Sequence, residues 1–167
     1  MLYSITTVIP KMNGGYYMGM GYTLVCGKCG YSRNLFVGCG MMYCQVLQQK
    51  TREAKEGMHG PKLKALFEKY PNGCIDAMNN IYYCNECRTV ECEPSLDFYK
   101  PVNPDEEISD ELFGPDMDKY ELAEEYIHLC PKCGRPMKQV IRLTESEPVD
   151  CPECGGSMET GHRLIWD

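Results

Sequence analysis

An α+β fold, in which small β-sheets carry a two-helix insertion in the first half of the chain, is predicted by three features of this 167-residue sequence. Four Cys-x-x-Cys pairs punctuate it, at Cys26/Cys29, Cys84/Cys87, Cys130/Cys133 and Cys151/Cys154. Around the first pair, residues alternate with the period of two that marks a half-buried strand. Between the first and second pairs the pattern changes to that of helices.

The elements follow in order. From Tyr16 to Val25, residues Tyr16, Met18, Met20, Tyr22 and Leu24 alternate with Tyr17, Gly19, Gly21, Thr23 and Val25, a strand that runs into the first cysteine pair. Asn13-Gly14-Gly15 reads as a turn, so Tyr3 to Ile9 is the candidate hairpin partner. Tyr31 to Val37 has the character of a return strand. Met42 to Glu56 is rich in helix formers and ends before Gly57, a candidate C-cap. Pro61 to Tyr70 opens with a proline suited to a first helical turn, sets Leu63, Leu66 and Phe67 on one stripe, and stops at Pro71. Strand character resumes at Ile81–Cys84, and Thr89 to Tyr99 is expected to be extended. Residues 101–118 are acidic and contain Pro101, Pro104 and Pro115, the composition of a linker. Glu121 to Leu129 leads into the third pair, Lys138 to Leu143 forms a strand, and Arg163 to Trp166 makes the last one.

Composition narrows the function classes. A hydrophobic fraction of 43% and a charged fraction of 25% are those of a globular chain, which excludes wholesale disorder. No run approaches the roughly 18–20 apolar residues of a membrane helix. Met1 to Gly15 lacks the basic and apolar regions of a secretory signal, so a cytoplasmic location is expected. In that reducing compartment twelve cysteines are expected to hold metal rather than to form disulfides. The net charge of −7 argues against a general nucleic-acid binder, but it is unevenly spread. Residues 1–90 carry ten basic and five acidic side chains, and residues 91–125 carry two and thirteen.

Two cysteines separated by two residues turn the backbone so that both sulfurs face one ion, while loop N–H groups offset the thiolate charge. Two such loops make the tetrahedral four-thiolate shell that zinc favours, and iron fits the same shell. The third and fourth loops read Cys130-Pro131-Lys132-Cys133-Gly134 and Cys151-Pro152-Glu153-Cys154-Gly155. Proline pre-sets φ there, and the trailing glycine tolerates a left-handed backbone.

With these two loops the chain resembles the zinc-ribbon (rubredoxin-like) superfamily over about residues 126–167. The first half is similar to a second, split copy, with Cys26-Gly27-Lys28-Cys29-Gly30 and Cys84-Asn85-Glu86-Cys87-Arg88 as its loops. The resemblance implies a domain over 1–100 with helices inserted at about 42–70, a linker over 101–118 and a C-terminal ribbon over 119–167. Two structural zinc ions are then expected on Cys26, Cys29, Cys84, Cys87, Cys130, Cys133, Cys151 and Cys154, although spacing leaves open which pairs share an ion. Ribbons of this kind occur in many settings, so the motif implies a fold and not a task.

The leading expectation for function is a non-enzymatic interaction or regulatory protein that docks on another macromolecule, a protein partner above all. The alternative is nucleic-acid binding through the basic half, with Lys50, Arg52, Lys55, Lys62, Lys64 and Lys69 as contacts; the same lysines equally suit the solvated faces of two helices. A metalloenzyme ranks lower, because closed four-thiolate shells leave no position for substrate. Thiol redox chemistry also ranks lower, because no pair precedes a helical pattern that would activate its first cysteine. Cys39, Cys44, Cys74 and Cys92 are left as small buried residues or a third site, and His162 as an alternative ligand.

Overall fold

A computed structural model describes residues 19–105, 114–140 and 149–166. The hairpin partner expected at Tyr3–Ile9, the turn at Asn13–Gly15, the start of the strand at Tyr16–Met18 and the end of the strand reaching Leu143 lie outside the described residues.

Local patterning builds the first elements as expected. Strands β1 (Gly19–Cys26) and β2 (Ser32–Val37) pair antiparallel, Met20 opposite Val37 and Val25 opposite Ser32. Tyr22, Leu24 and Cys26 are buried while Val25 between them is exposed, the alternation the sequence displays. Helix α1 (Tyr43–Glu56) ends at Gly57, whose φ of 87° lets its N–H turn back to the carbonyl of Ala54. Glycine adopts that left-handed cap without strain. Helix α2 (Pro61–Lys69) starts on its proline and buries Leu63 and Phe67, with Leu66 half-buried. The remaining strands are β3 (Cys74–Ile75), β4 (Asn79–Tyr83), β5 (Val90–Pro94), β6 (Phe98–Pro101), β7 (Tyr120–Glu124), β8 (Lys138–Val140), β9 (Val149–Asp150) and β10 (Ser157–Trp166).

These strands form three sheets, ordered β2-β1-β10-β9, β3-β6-β7 and β5-β4-β8. The decisive pairings are long-range. β10 runs antiparallel to β1 with Met158 opposite Cys26, and β8 runs antiparallel to β4 with Lys138 opposite Tyr83. The C-terminal quarter therefore does not close on itself as the expected ribbon over 119–167. Its two halves pair with two separate earlier segments. Loop closure costs grow only with the logarithm of loop length, so distant strands are nearly as available as near ones once a shared core rewards them.

That core joins the sheets β2-β1-β10-β9 and β5-β4-β8. Leu24, Leu35, Ile81, Val90, Val149 and Met158 pack together with Cys26 and Cys151 in one buried cluster. The Arg33 guanidinium reaches Glu91 at 2.6 Å, and the Cys92 thiol donates to the Phe36 carbonyl at 2.8 Å.

The chain divides into two compact units. One comprises the described parts of Met1–Gly40, Asn80–Cys92 and His128–Asp167 and holds all four Cys-x-x-Cys loops; we call it the cysteine unit. The other comprises Met41–Asn79 and Glu93–Ile127, the helical unit. These divisions differ from those read from the sequence. The segment 101–118, expected as a linker, connects β6 to β7, which are antiparallel neighbours with Pro101 opposite Tyr120. Its described ends belong to the helical unit: Val102 N–H bonds the Lys119 carbonyl at 2.8 Å, and Gly114 lies against the Tyr43 hydroxyl.

Phe98 is fully buried at the centre of the helical unit, with the Phe67 ring edge-on at 4.9 Å and Tyr70 at 6.4 Å. Gly73 must lack a side chain, because a β-carbon there would come within 2.3 Å of the Phe98 ring. Lys62 pairs with Glu124 and Lys100 with Glu121, tying helix and strands at their edges. Buried Asp76 accepts from the Met78 N–H at 2.8 Å and the Tyr43 hydroxyl at 3.3 Å, while burial, with Asp97 nearby, pushes its carboxyl up. No helix among the described residues is long and apolar enough to cross a membrane.

Candidate metal centres

The four cysteine loops share one backbone design. In each, the N–H of the first cysteine bonds the carbonyl five residues on: Tyr31, Thr89, Arg135 and Gly156, at 2.7–2.9 Å. The residue four positions after that cysteine donates back to its carbonyl, again at 2.8–2.9 Å. That residue is left-handed every time: Gly30 at φ 75°, Arg88 at 58°, Gly134 at 70° and Gly155 at 68°. Glycine suits the position because it has no Cβ to clash with the carbonyl. Arg88 adopts the same turn at a cost.

The loops meet in two groups. Cys26, Cys29, Cys151 and Cys154 form one, and Cys84, Cys87, Cys130 and Cys133 the other, with the four sulfurs of each within 4.8 Å of one another. The two ribbons implied by the resemblance would have joined 26/29 with 84/87 and 130/133 with 151/154; spacing left the partnership open, and the structure pairs them otherwise. The physical reason lies in the strand register. Placing Met158 opposite Cys26 sets the fourth loop beside the first, and placing Lys138 opposite Tyr83 sets the third beside the second. The pairs are nested, outer with outer and inner with inner.

The geometry fits a four-thiolate ion. Neighbouring sulfurs are 3.5 Å apart for Cys26–Cys154 and 3.6 Å for Cys29–Cys151. In the inner group they are 3.6 Å apart for Cys84–Cys133 and 3.2 Å for Cys87–Cys130. The edge of a tetrahedron with metal–sulfur bonds of ~2.3 Å is about 3.8 Å, and a disulfide would need ~2.05 Å. No disulfide joins any of the twelve cysteines. In each group two sulfurs come from buried residues and one from an exposed residue, Cys29 or Cys133.

The electrostatics point the same way. Backbone N–H groups of Cys29 and Lys28 aim at the Cys26 sulfur and bring its thiol down to about 6. For Cys130 burial resists ionisation, but N–H groups of Cys133 and Lys132 and the Cys87 thiol outweigh it, again giving about 6. Cys84 is lowered by the N–H groups of Cys87 and Glu86 against burial. The last thiol of each group moves the other way. The Tyr31 N–H favours ionised Cys29, yet the sulfurs of Cys154, Cys151 and Cys26 together with burial push it up to about 12. Cys133 follows suit despite the Arg135 N–H. Four thiols cannot all ionise at such range without a cation among them, which a divalent ion supplies.

Other expected residues are placed elsewhere. Cys39, Cys44, Cys74 and Cys92 join no cluster of three or more potential ligands among the described residues, and neither does His162, which lies exposed on β10. His59 is bonded to Glu53 at 2.8 Å and His128 stacks on Tyr82 with centroids 3.9 Å apart. Of the six helix cations, Lys50 pairs with Glu53 at 2.8 Å and Lys62 with Glu124. Lys55 sits 5.2 Å over the Phe67 ring, and Lys69 5.1 Å over Tyr70. Arg52 and Lys64 are exposed.

Two residues at the centres escaped the sequence reading. Gly156 approaches so closely that a β-carbon would lie 3.2 Å from the Cys26 sulfur and 3.3 Å from the Cys154 sulfur. Arg88 was visible only as a departure from the loop pattern.

The clusters are consistent with zinc-ribbon-like sites. No protein-family model matches the chain, and comparison with characterised proteins and with solved structures finds no match.

Proposed function

We propose that each cluster holds one zinc ion as a structural centre, and that the chain is a non-enzymatic interaction or regulatory protein that docks on another macromolecule. The observation that carries the first part is the pair of four-sulfur clusters, each with its sulfurs within 4.8 Å of one another. Four thiolates saturate zinc, leaving no position for water or substrate, so the centres serve the fold. Iron suits the same donors, and an absorption spectrum separates the two, since four-thiolate iron is coloured and zinc is not. A cytoplasmic location belongs to the same reading, since thiols that hold metal persist in a reducing compartment.

Met58 and Met117 are exposed in the helical unit, where their flexible thioethers suit adaptable contacts with a protein. Nucleic-acid binding is the second reading. It is disfavoured because four of its six candidate cations already have carboxylate or aromatic neighbours.

Native mass spectrometry of the purified chain tests the metal: two zinc ions per chain are expected, and an ion-free compact chain would refute the reading. Titration with single- and double-stranded DNA and RNA tests the partner class. No binding at low salt is expected, whereas affinity that falls steeply with salt would favour nucleic acid over a protein partner.

A further inference from the structure

Arg88 belongs by sequence to the inner centre, as the residue after Cys87, yet its side chain lies against the loop of the outer one. A β-carbon on Gly155 would come within 2.8 Å of its Nη1, 3.2 Å of its Cζ and 3.6 Å of its Nη2, so the flat guanidinium rests on the glycine that follows Cys154. We propose that Arg88 is a charge-compensating bridge, rooted in the inner loop but positioned to serve the Cys26/Cys29/Cys151/Cys154 centre.

Three observations carry this. First, Arg88 is left-handed where the other three loops use glycine, although the same loop hydrogen bonds form in all four. Local structure alone would be better served by glycine, so the side chain has a use that offsets the strain. Second, a divalent ion with four thiolates carries a charge of −2, which a nearby fixed cation stabilises. Third, among the described residues no carboxylate pairs with Arg88, whereas Arg135, beside the inner centre, is paired with Glu86 at 2.9 Å. Among the described residues, therefore, no salt bridge takes up the charge of Arg88. Formation of the inner loop thus sets a cation against the Gly155 turn of the outer loop, which couples the two centres.

The inference rests on reading the clusters as metal centres, and the experiment separates the two claims. The zinc-loaded full chain is challenged with a chelator in the presence of N-ethylmaleimide, and the labelled cysteines are mapped over time by peptide mass spectrometry. In R88G the outer cysteines should be released about ten-fold faster than in the unaltered protein, the scale of a lost outer-shell partner. The inner cysteines should be unchanged or slower, since glycine relieves the turn. R88K, which keeps the charge, should restore most of the outer protection. The difference between R88G and the unaltered protein should shrink as salt is raised, which a purely steric role would not show. Equal acceleration at both centres, acceleration confined to the inner one, or no change would overturn the proposal. An unaltered chain that carries no metal would defeat the metal reading itself, and this inference with it.

Discussion

The two units of this chain bury apolar side chains in different ways. The cysteine unit draws its core from three separate stretches of sequence, and four of its buried residues, Cys26, Cys84, Cys130 and Cys151, are themselves candidate ligands. The helical unit has only Cys44 and Cys74 and relies on interlocked aromatics, Phe67, Tyr70 and Phe98, edged by ion pairs. A fully buried Leu, Ile or Phe contributes roughly 1.5–3 kcal/mol, whereas a structural zinc contributes an apparent ~10–16 kcal/mol. A small unit that held metal could therefore sustain long-range pairings with less reliance on its apolar core. The helical unit has no such cluster among the described residues and depends on its apolar and aromatic core.

Removing a ligand should give the largest effect. Cys151→Ala should release one zinc and unfold much of the cysteine unit, since the zinc term rivals the ~5–15 kcal/mol stability of a whole domain. Alkylation should then appear at Cys26 and Cys29, its partners across the nested pairing, with Cys130 and Cys133 still protected. The opposite labelling pattern would break the assignment of pairs. Helical circular dichroism should largely persist, because the helices belong to the other unit.

Phe98→Ala makes the complementary cut. Loss of the central ring should cost about 3–5 kcal/mol, read as a shift in denaturant midpoint of the helical signal. Zinc stoichiometry should stay at two, and loss of zinc would show that the units do not stand apart energetically.

A smaller change sharpens the picture within one centre. Gly156→Ala puts a methyl against the Cys26 and Cys154 sulfurs and should cost about 1–3 kcal/mol by overpacking. Chelator competition should show faster zinc loss from the outer centre alone; an unchanged release rate would mean that the loop yields freely.

The least effect concerns pH. Lys50, then Gln49 and His59, hold Glu53 down to about 2 from 4.5. A lowered folded-state value stabilises the helical unit above pH ~4.5 and is lost as pH falls from there towards 2. Glu53→Gln should therefore flatten the acid limb of the helical signal between those values. A limb of unchanged slope would assign acid sensitivity to other carboxylates.

Much of the local structure was legible in the chain. Gly57 and Pro61 marked helix ends, the alternation around Leu24 marked β1, and the eight paired cysteines are the ones that meet in the two clusters. The partnerships were not. Each Cys-x-x-Cys loop is chemically equivalent to the others, so proximity in sequence favoured the third with the fourth. The acidic stretch after Pro101 likewise carried linker composition, yet its two ends flank paired strands. Composition reports the solvent preference of a segment and is blind to the neighbour its ends will find.

What the sequence determined alone was short-range: turn geometry, helix caps, strand period and thiol spacing, each encoded within a few residues. Which loop faces which was decided only in three dimensions, by the register that sets Met158 opposite Cys26 and Lys138 opposite Tyr83. Backbone hydrogen bonds between strands carry no residue identity, so pairing follows from the shared burial of Leu24, Ile81, Val149 and Met158, a property of the assembled core and of no segment by itself.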